Sequence, residues 1–363
     1  MARLLPGDPA PYFTVRASTN PNFHFDTAGG RTLVLSFIGS AGRPGVAEAI
    51  ARLGARKDLF DDIHASLFVV TCDPKDEARL AHRMPGYRNF WDFDAAVTRL
   101  YGFAEAPMAD GRVKVSPATV VLDANFRVFR VIPMNDPAAH GDEVASYVAT
   151  LPRRKASEPA PAPAPSLVVP RVFEPEFCRE LLQLYEAHGG EDSGFMQTDP
   201  ASGNTVSRID YRHKRRRDHA IEDPKVQDAV RVRVLRRVVP ELKKAFQYDA
   251  TRIERYLIAC YDAGEGGYFR PHRDNTTHGT AHRRFAVTLN LNAEEYEGGD
   301  LRFPEYDTRT YRAPTGGAVV FSCSMLHEAT PVMRGRRYAV LPFLYDEAAA
   351  KVREENKKFL IEG

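Results

Sequence analysis

Apolar residues fall along this chain in two different rhythms, separated by a proline-rich break. Near the N-terminus, "TLVLSFIG" (32–39) and "ASLFVVTCD" (65–73) are short, unbroken apolar runs of buried-strand type. "GVAEAIARLGARKDLF" (45–60) between them has helical spacing, so the three predict a βαβ unit. "ATVVLDANFRVFRVIP" predicts a hairpin turning at Asp123–Asn125, and "DEVASYVATLP" a closing helix. Together they predict an α/β sandwich. The break is "RRKASEPAPAPAPS", residues 153–166. Alternating Ala-Pro cannot sustain regular backbone hydrogen bonding and favours an extended, semi-rigid spacer. The expected organisation is a domain at 1–152, a linker at 153–166 and a second domain at 167–363.

Beyond the break the texture changes. "EPEFCRELLQLYEAHGG" places Phe177, Leu181, Leu182 and Tyr185 on one face, which predicts an amphipathic helix ending at Gly189-Gly190. "DPKVQDAVRVRVLRRVVPELKKAF" (223–246) also predicts a helix, until Pro240 interrupts it. From about 252 to 346, short strand-like runs alternate with turn signals such as "DAGEGG", "EYEGGD", "APTGG" and "RGRR". That spacing predicts a jelly-roll sandwich with helices packed on one side.

Composition narrows the picture only slightly. With 363 residues, 43% hydrophobic and 27% charged, there is room for two ordinary globular cores. A formal net charge of +2 sets up no general field for nucleic acid. Cys72, Cys178, Cys260 and Cys323 form no CxxC pair, which argues against a zinc knuckle, a redox pair or a disulfide scaffold. Prolines break "MARLLPGDPAPYF" before an apolar signal region can build up, and no run approaches a membrane span. The expectation is a cytoplasmic protein with no membrane partner.

Candidate chemistry begins at "YFRPHRDNTTHG" (268–279). A kinase catalytic loop would need Asn five residues after the Asp, where Gly279 stands, and no Asp-Phe-Gly follows. On a strand His272 and Asp274 project to one face. An imidazole and a carboxylate side by side are two thirds of a facial triad for non-haem iron(II). "FSCSMLHEATPVMRGRRYAVLPFLY" adds His327 just beyond a buried-type strand, and Arg337 ten residues later. His278 and His282 have no partner at metal-ligand spacing, and their Gly-Thr-Ala context reads as a mobile loop.

Several segments, in order, carry a resemblance: "RYLIACYDAGEGGYFRPHRDN", "RRFAVTLNLNAEEYEGGDLRF", "APTGGAVVF" and "LHEATPVMRGRRYAV". They resemble the iron(II)- and 2-oxoglutarate-dependent oxygenases, closest to the prolyl 4-hydroxylase-like branch, over about residues 252–346. The resemblance implies a double-stranded β-helix (jelly roll) with supporting helices. It implies Fe(II) held by His272, Asp274 and His327, with 2-oxoglutarate, O2 and a possible need for ascorbate. Succinate and CO2 would be released. It implies that Arg337, on the face opposite Arg336, forks onto the far carboxylate of 2-oxoglutarate. Tyr261 would hydrogen-bond the same molecule, with Thr288 and Asn290 in that pocket. Tyr268 and Arg270 are the candidates for contacting substrate.

The first domain carries a second resemblance. "LVLSFIGSAGRPGVAEA", "FVVTCDPKDEARLAHRM", "WDFDAAVTRLYGF" and "VSPATVVLDANFRV" look like the segments of a peroxiredoxin-type thioredoxin fold. Ser116-Pro117 sits where that fold usually carries a cis-proline. The family attacks peroxide with a thiolate just after its first core strand, and "SAGRPGVAEA" has no cysteine. A scaffold or homodimerising role is therefore expected in place of a peroxidase. The basic run "YRHKRRRDH" (211–219) is expected to be a solvated loop or a salt-bridged face, or else a lid or substrate-binding loop over the site. The leading expectation is a hydroxylase acting on a peptide or protein residue, proline favoured. Its rivals are a hydroxylase of a free small molecule, a non-catalytic interaction protein and a peroxidase fused to an oxygenase.

Overall fold

A computed structural model describes residues 4–107, 113–153, 163–306 and 308–360. The chain divides into two compact units, Met1–Glu158 and Pro159–Gly363. The Ala-Pro stretch 154–162 lies outside the described residues. Within the expected linker, Ala164 is buried, its N–H donating to the Tyr311 hydroxyl at 2.8 Å.

The first unit is built on seven strands: β1 (Thr14–Ala17), β2 (Phe23–His24), β3 (Thr32–Gly39), β4 (Ala65–Thr71), β5 (Tyr87–Trp91), β6 (Ala118–Leu122) and β7 (Val128–Pro133). They run in the order β2-β1-β5-β4-β3-β6-β7. β3 and β4 pair in parallel through helix α1 (Val46–Ala55), and β6 and β7 form an antiparallel hairpin on the other side of β3. A βαβ unit joined to a hairpin in this order is the thioredoxin-like α/β sandwich. β3 and β4 are mostly apolar and buried along almost their whole length because both faces are covered. One face packs aromatics, including Phe25, Phe37, Phe68 and Phe90. The other receives Val46, Ile50 and Leu53 of α1 and Val144 and Val148 of α2 (Pro137–Ala149). The helices approach so closely that a Cβ on Gly141 would meet the Ala49 carbonyl oxygen at 2.7 Å. α2 starts five residues before the expected segment, where the Asp136 carboxylate caps the Ala138 N–H. The cis peptide bond is Met84–Pro85, and Ser116–Pro117 is trans.

In the second unit helices α3 (Pro175–His188), α4 (Pro224–Arg237) and α5 (Val239–Phe246) back a large antiparallel sheet. The helix expected to run to Pro240 instead ends at Arg237 and restarts, with Pro240 in the first turn of α5. Proline has no N–H to donate and its ring clashes with the carbonyl four residues back, so the break falls before it.

The large sheet centres on β8 (Arg217–Ala220), β9 (Leu257–Asp262), β11 (Phe285–Asn290), β12 (Ala318–Ser322) and β14 (Arg336–Val340). A smaller sheet pairs β10 (Tyr268–His272) with β13 (His327–Ala329). The two sheets make the jelly roll, with apolar clusters around Phe303, Phe321 and Met325 and around Tyr261, Phe269 and Ala329. No helix among the described residues is long and apolar enough to cross a membrane.

Candidate active site

The register of β10 against β13 aims the metal-ligating side chains. Phe269 pairs with Ala329 and His272 with His327, so β10 carries one extra residue in between. A bulge of this kind reverses the alternation of faces. Phe269 and His272 therefore both point inward, their rings stacked at 3.5 Å between centroids. Tyr268 and Arg270, the sequence candidates for contacting substrate, turn outward. Their side chains donate to the backbone carbonyls of Tyr211 and Arg212, and neither lines a cavity next to His272. Uninterrupted strand alternation would have put them beside His272, and the bulge corrects that reading.

His272, Asp274 and His327 offer ligand atoms that all lie within 4.8 Å of one another. His272 Nε2 is 3.6 Å and His327 Nε2 3.3 Å from the two Asp274 carboxylate oxygens. Both Nδ1 atoms face backbone carbonyls, His272 that of Arg270 at 2.8 Å and His327 that of Met325 at 3.0 Å. Each Nδ1 must carry the proton to make these bonds, which leaves both Nε2 lone pairs aimed at one point. Burial, and then neighbouring His327, pull His272 down to about 3, so its imidazole is neutral and able to ligate. Burial raises the Asp274 carboxyl, but the two imidazoles, Arg283 and Arg255 outweigh it and hold the group below its ordinary range. Two neutral imidazoles and one carboxylate fit a divalent iron and leave half its coordination sphere open.

Behind the triad a narrow inner cavity runs towards Arg337, bounded also by Tyr261 and Thr288. Arg337 is only 2% exposed, and its Nε and Nη1 have no hydrogen-bond partner among the described residues. Orphaned guanidinium donors this deep are costly unless an anion takes them, and a carboxylate matches their fork. Arg336 points the other way, exposed and paired with Asp262 at 2.7 Å. The Tyr261 ring lies 5.0 Å from the Arg337 guanidinium. Arg216 donates to the Tyr261 hydroxyl oxygen at 3.4 Å, leaving the hydroxyl proton free to point into the cavity. Asn290 does not line that cavity; its amide is taken up by the Ala313 carbonyl at 2.7 Å. These residues fit 2-oxoglutarate.

On the outer side the triad opens into a cavity of about 660 Å³, partly walled by Phe195, Met196 and Ser207 of the hairpin Phe195–Thr198 and Thr205–Arg208. The basic run 211–219 forms part of its wall and is neither a uniformly solvated face nor a free lid. Lys214–Arg215 pairs with β10 and β8 with β9, so the chain crosses between the sheets at Arg216. Lys214 and Arg216 turn inward and are buried, while Arg215 and Arg217 face out. The signal was a period of two, obscured because Arg212 to Asp218 are all polar or charged.

His278 and His282 are not in a mobile loop. Thr277 and Thr280 form a capping box around the turn His278–Thr280, and the His278 ring stacks on Phe359. His282 is buried against Glu254 at 2.9 Å, and Arg283 reaches the same carboxylate at 2.8 Å. Burial would raise the Glu254 carboxyl, but His282 and Arg283 hold it at about 2. Because this lies below the unfolded value of about 4.3, the contribution is full above that pH and disappears as pH falls through about 2. Glu254→Gln should cost about 3–5 kcal/mol at pH 7, since it strands buried cations. Thermal melts should show the gap between the two proteins closing towards pH 2, and a gap independent of pH would contradict the pairing.

In the first unit, the loop after β3 is filled by a closed polar network. The Ser40 hydroxyl donates to Asp73, Asp76 accepts the Ala41 N–H, and Arg79 binds both carboxylates. Cys72 lies apart, 3.4 Å from the Thr98 hydroxyl, and burial pushes its thiol up to about 11. A thiol protonated at neutral pH is a poor nucleophile. Peroxide should therefore leave Cys72 unlabelled by a sulfenate-specific reagent at pH 7, and rapid stoichiometric labelling would overturn this.

Comparison with known proteins agrees with this geometry. Residues 256–345 match the family model described as the 2OG-Fe(II) oxygenase superfamily. A PKHD-type hydroxylase from Synechococcus sp. is 33% identical over 98 residues, covering 25% of this chain and 43% of its own length. The chain thus spans less than half of that relative. Among solved structures, a Trichoplax adhaerens prolyl hydroxylase in complex with a hypoxia inducible factor oxygen degradation domain peptide fragment is 18% identical (TM-score 0.38). It covers 52% of this chain and 86% of its own. Peroxidoxin BcpB from Mycobacterium tuberculosis is 21% identical (TM-score 0.36) and covers 41% of this chain and 99% of its own. The residues that carry the triad and Arg337 all lie within the stretch that matches the 2OG-Fe(II) oxygenase superfamily model.

Proposed function

We propose that this protein is an iron(II)- and 2-oxoglutarate-dependent hydroxylase acting on a residue of a peptide or protein, with proline the first candidate. One observation carries the reading: a His-Asp-His donor set stands between a cavity ending in an orphaned buried guanidinium and a second cavity open to larger molecules. Ferrous iron with 2-oxoglutarate bound supplies the oxidising chemistry, in which R–H, O2 and 2-oxoglutarate become R–OH, CO2 and succinate. The protein's part is placement. His272, Asp274 and His327 would hold the metal by one face, and the carbonyls of Arg270 and Met325 fix the two imidazoles. Arg337 and Tyr261 would orient the cosubstrate, and the aromatic wall of Phe269 limits water at its side of the metal. A polypeptide substrate is supported by the size of the outer cavity, which exceeds what one amino acid needs, and by the hairpin beside it.

The test is succinate release by the full chain with Fe(II), 2-oxoglutarate and ascorbate, with and without pooled peptides. Mass spectrometry should find one oxygen atom added to a proline. Turnover without iron, or none with it, would remove the oxygenase reading; a free metabolite outpacing every peptide would remove only the substrate class. Homodimerisation through residues 1–152 belongs to the same proposal, and an unchanged oligomeric state in sedimentation on deleting them would exclude it.

A further inference from the structure

The cations of the outer cavity are not equally occupied. Arg283 and Arg353 share Glu254, at 2.8 and 3.4 Å, and Arg273 is paired with Glu305 at 2.6 Å. Arg216, which lines the inner cavity, holds both oxygens of the outer cavity's Asp218, at 2.7 and 2.6 Å. Two cations remain. Lys214 Nζ donates to the Ser193 hydroxyl at 2.7 Å and the Gly194 carbonyl at 2.6 Å and sits 5.0 Å from the Phe269 ring centroid. Among the described residues no carboxylate comes within ion-pair distance of it. Arg255 meets a carboxylate only across 3.6 Å, at an Asp218 already taken by Arg216, and its guanidinium otherwise lies over the Phe343 ring at 5.3 Å. That separation is longer than a hydrogen bond.

Their placement is specific. Lys214 lines the outer cavity together with His272 and Asp274, and Arg255 lines both cavities, so it stands where they join at the triad. Arg255 is held with φ +74°, a left-handed conformation that a side chain with a Cβ adopts at a cost. It lies between the strand Arg252–Glu254 and β9, and this kink accompanies its placement at the junction. One carboxylate, Asp218, thus faces three cations: Arg216, Arg255 and Lys214. Burial, with Arg216 beside it, presses the Lys214 ammonium well below its ordinary range. A carboxylate arriving from solution would relieve that penalty, because a buried charge is stable only when paired.

We propose that Lys214 and Arg255 form an anion subsite beside the metal triad, which takes a carboxylate carried by the substrate close to the carbon that is oxidised. The substrate class is then an acid: a residue next to Asp or Glu in a peptide, or a free amino or organic acid. This rests on the oxygenase reading for its meaning but not for its measurement, since neither side chain is a metal ligand.

The test is isothermal titration of the metal-free full chain with matched pairs. Short proline-containing peptides, acetylated and amidated at their ends, differ only in Asp against Asn, or Glu against Gln, beside the proline; free proline against prolinamide and propionate against propionamide form the small-molecule arm. The acid of at least one pair should bind about tenfold or more tightly than its amide, as a charge-assisted pair of contacts gives. The arm in which this appears identifies the source of the carboxylate. Lys214→Gln keeps a donor for Ser193 and Gly194, and Arg255→Gln has no short hydrogen bond to lose, so the fold should persist; far-UV circular dichroism checks this. In either variant the acid-to-amide ratio should fall to about one. If Lys214→Gln fails to fold, Arg255→Gln alone decides. Equal binding of acid and amide in every pair, or a ratio that survives Arg255→Gln, overturns the subsite. Absent succinate release with the acid preference intact would instead remove the oxygenase reading and leave the subsite standing.

Discussion

Replacing His327 with alanine should reduce iron-dependent succinate release by about a hundredfold or more, since it removes one of three donors where even a supporting contact is worth ten- to a hundredfold. His327 is buried, its ring 4.6 Å from that of Phe321 and its Nδ1 held by the Met325 carbonyl. The substitution therefore also opens a small cavity, with a stability cost of about 2–4 kcal/mol. The two effects separate experimentally. Bound iron, measured by elemental analysis after desalting, should fall from about one per chain towards zero. The melting temperature should drop by about 4–16 degrees without loss of the cooperative transition, because β13 keeps its backbone pairing. A variant that retains iron and full turnover would show that the triad is not the metal site. His272→Ala should behave alike, with an added loss of the stacked Phe269 contact.

Arg337→Gln should weaken 2-oxoglutarate by about thirty- to thousandfold while leaving iron affinity nearly unchanged. The reason is that two nitrogens of the guanidinium have no hydrogen-bond partner among the described residues, so a cosubstrate carboxylate can take them. Losing a buried bidentate contact of that kind costs on the order of 2–4 kcal/mol. Lysine is a poor replacement as well, since a point charge cannot reproduce the fork. The matching control is Arg336→Gln. That side chain is exposed and its partner Asp262 is a surface carboxylate, so the change should stay within about 1 kcal/mol. Apparent 2-oxoglutarate affinity, read from succinate release and from direct titration under argon, distinguishes the two. The opposite result, with Arg336→Gln carrying the loss, would move the role to the neighbour.

The two arginines also illustrate how far local pattern reaches. Strand alternation placed Arg336 and Arg337 on opposite faces, and they lie so. The same rule misplaced Tyr268 and Arg270, because one inserted residue in β10 reverses the faces between Phe269 and His272. A bulge depends on the partner strand, and β13 lies far along the chain. The run 211–219 shows the converse. Its alternation was present in the letters, yet charged residues give no hydrophobic contrast to reveal which side is inside. Burial of Lys214 and Arg216 becomes visible only when Tyr261 and Phe269 arrive from other elements. His282 was passed over for the same reason: its partner Glu254 sits before β9, and nothing adjacent in sequence announces it.

What the sequence by itself determined is the set of elements and the chemistry they offer. Apolar runs of period two or unbroken length specify the strands of both units, helical spacing specifies α1 and α3, and His-x-Asp with a later His and Arg names the donors. These follow from local sterics and from ligand chemistry, which act over a few residues or depend on residue type alone. The tertiary structure decided everything that depends on who sits opposite. It set the bulge that turns His272 inward and the carbonyls that fix both imidazole tautomers. It left two nitrogens of Arg337 without a hydrogen-bond partner among the described residues, and it brought Lys214 and Arg255 to one cavity where Arg255 meets Asp218 only across 3.6 Å. Charge pairing and burial are sums over neighbours distant in the chain, so only the folded molecule evaluates them.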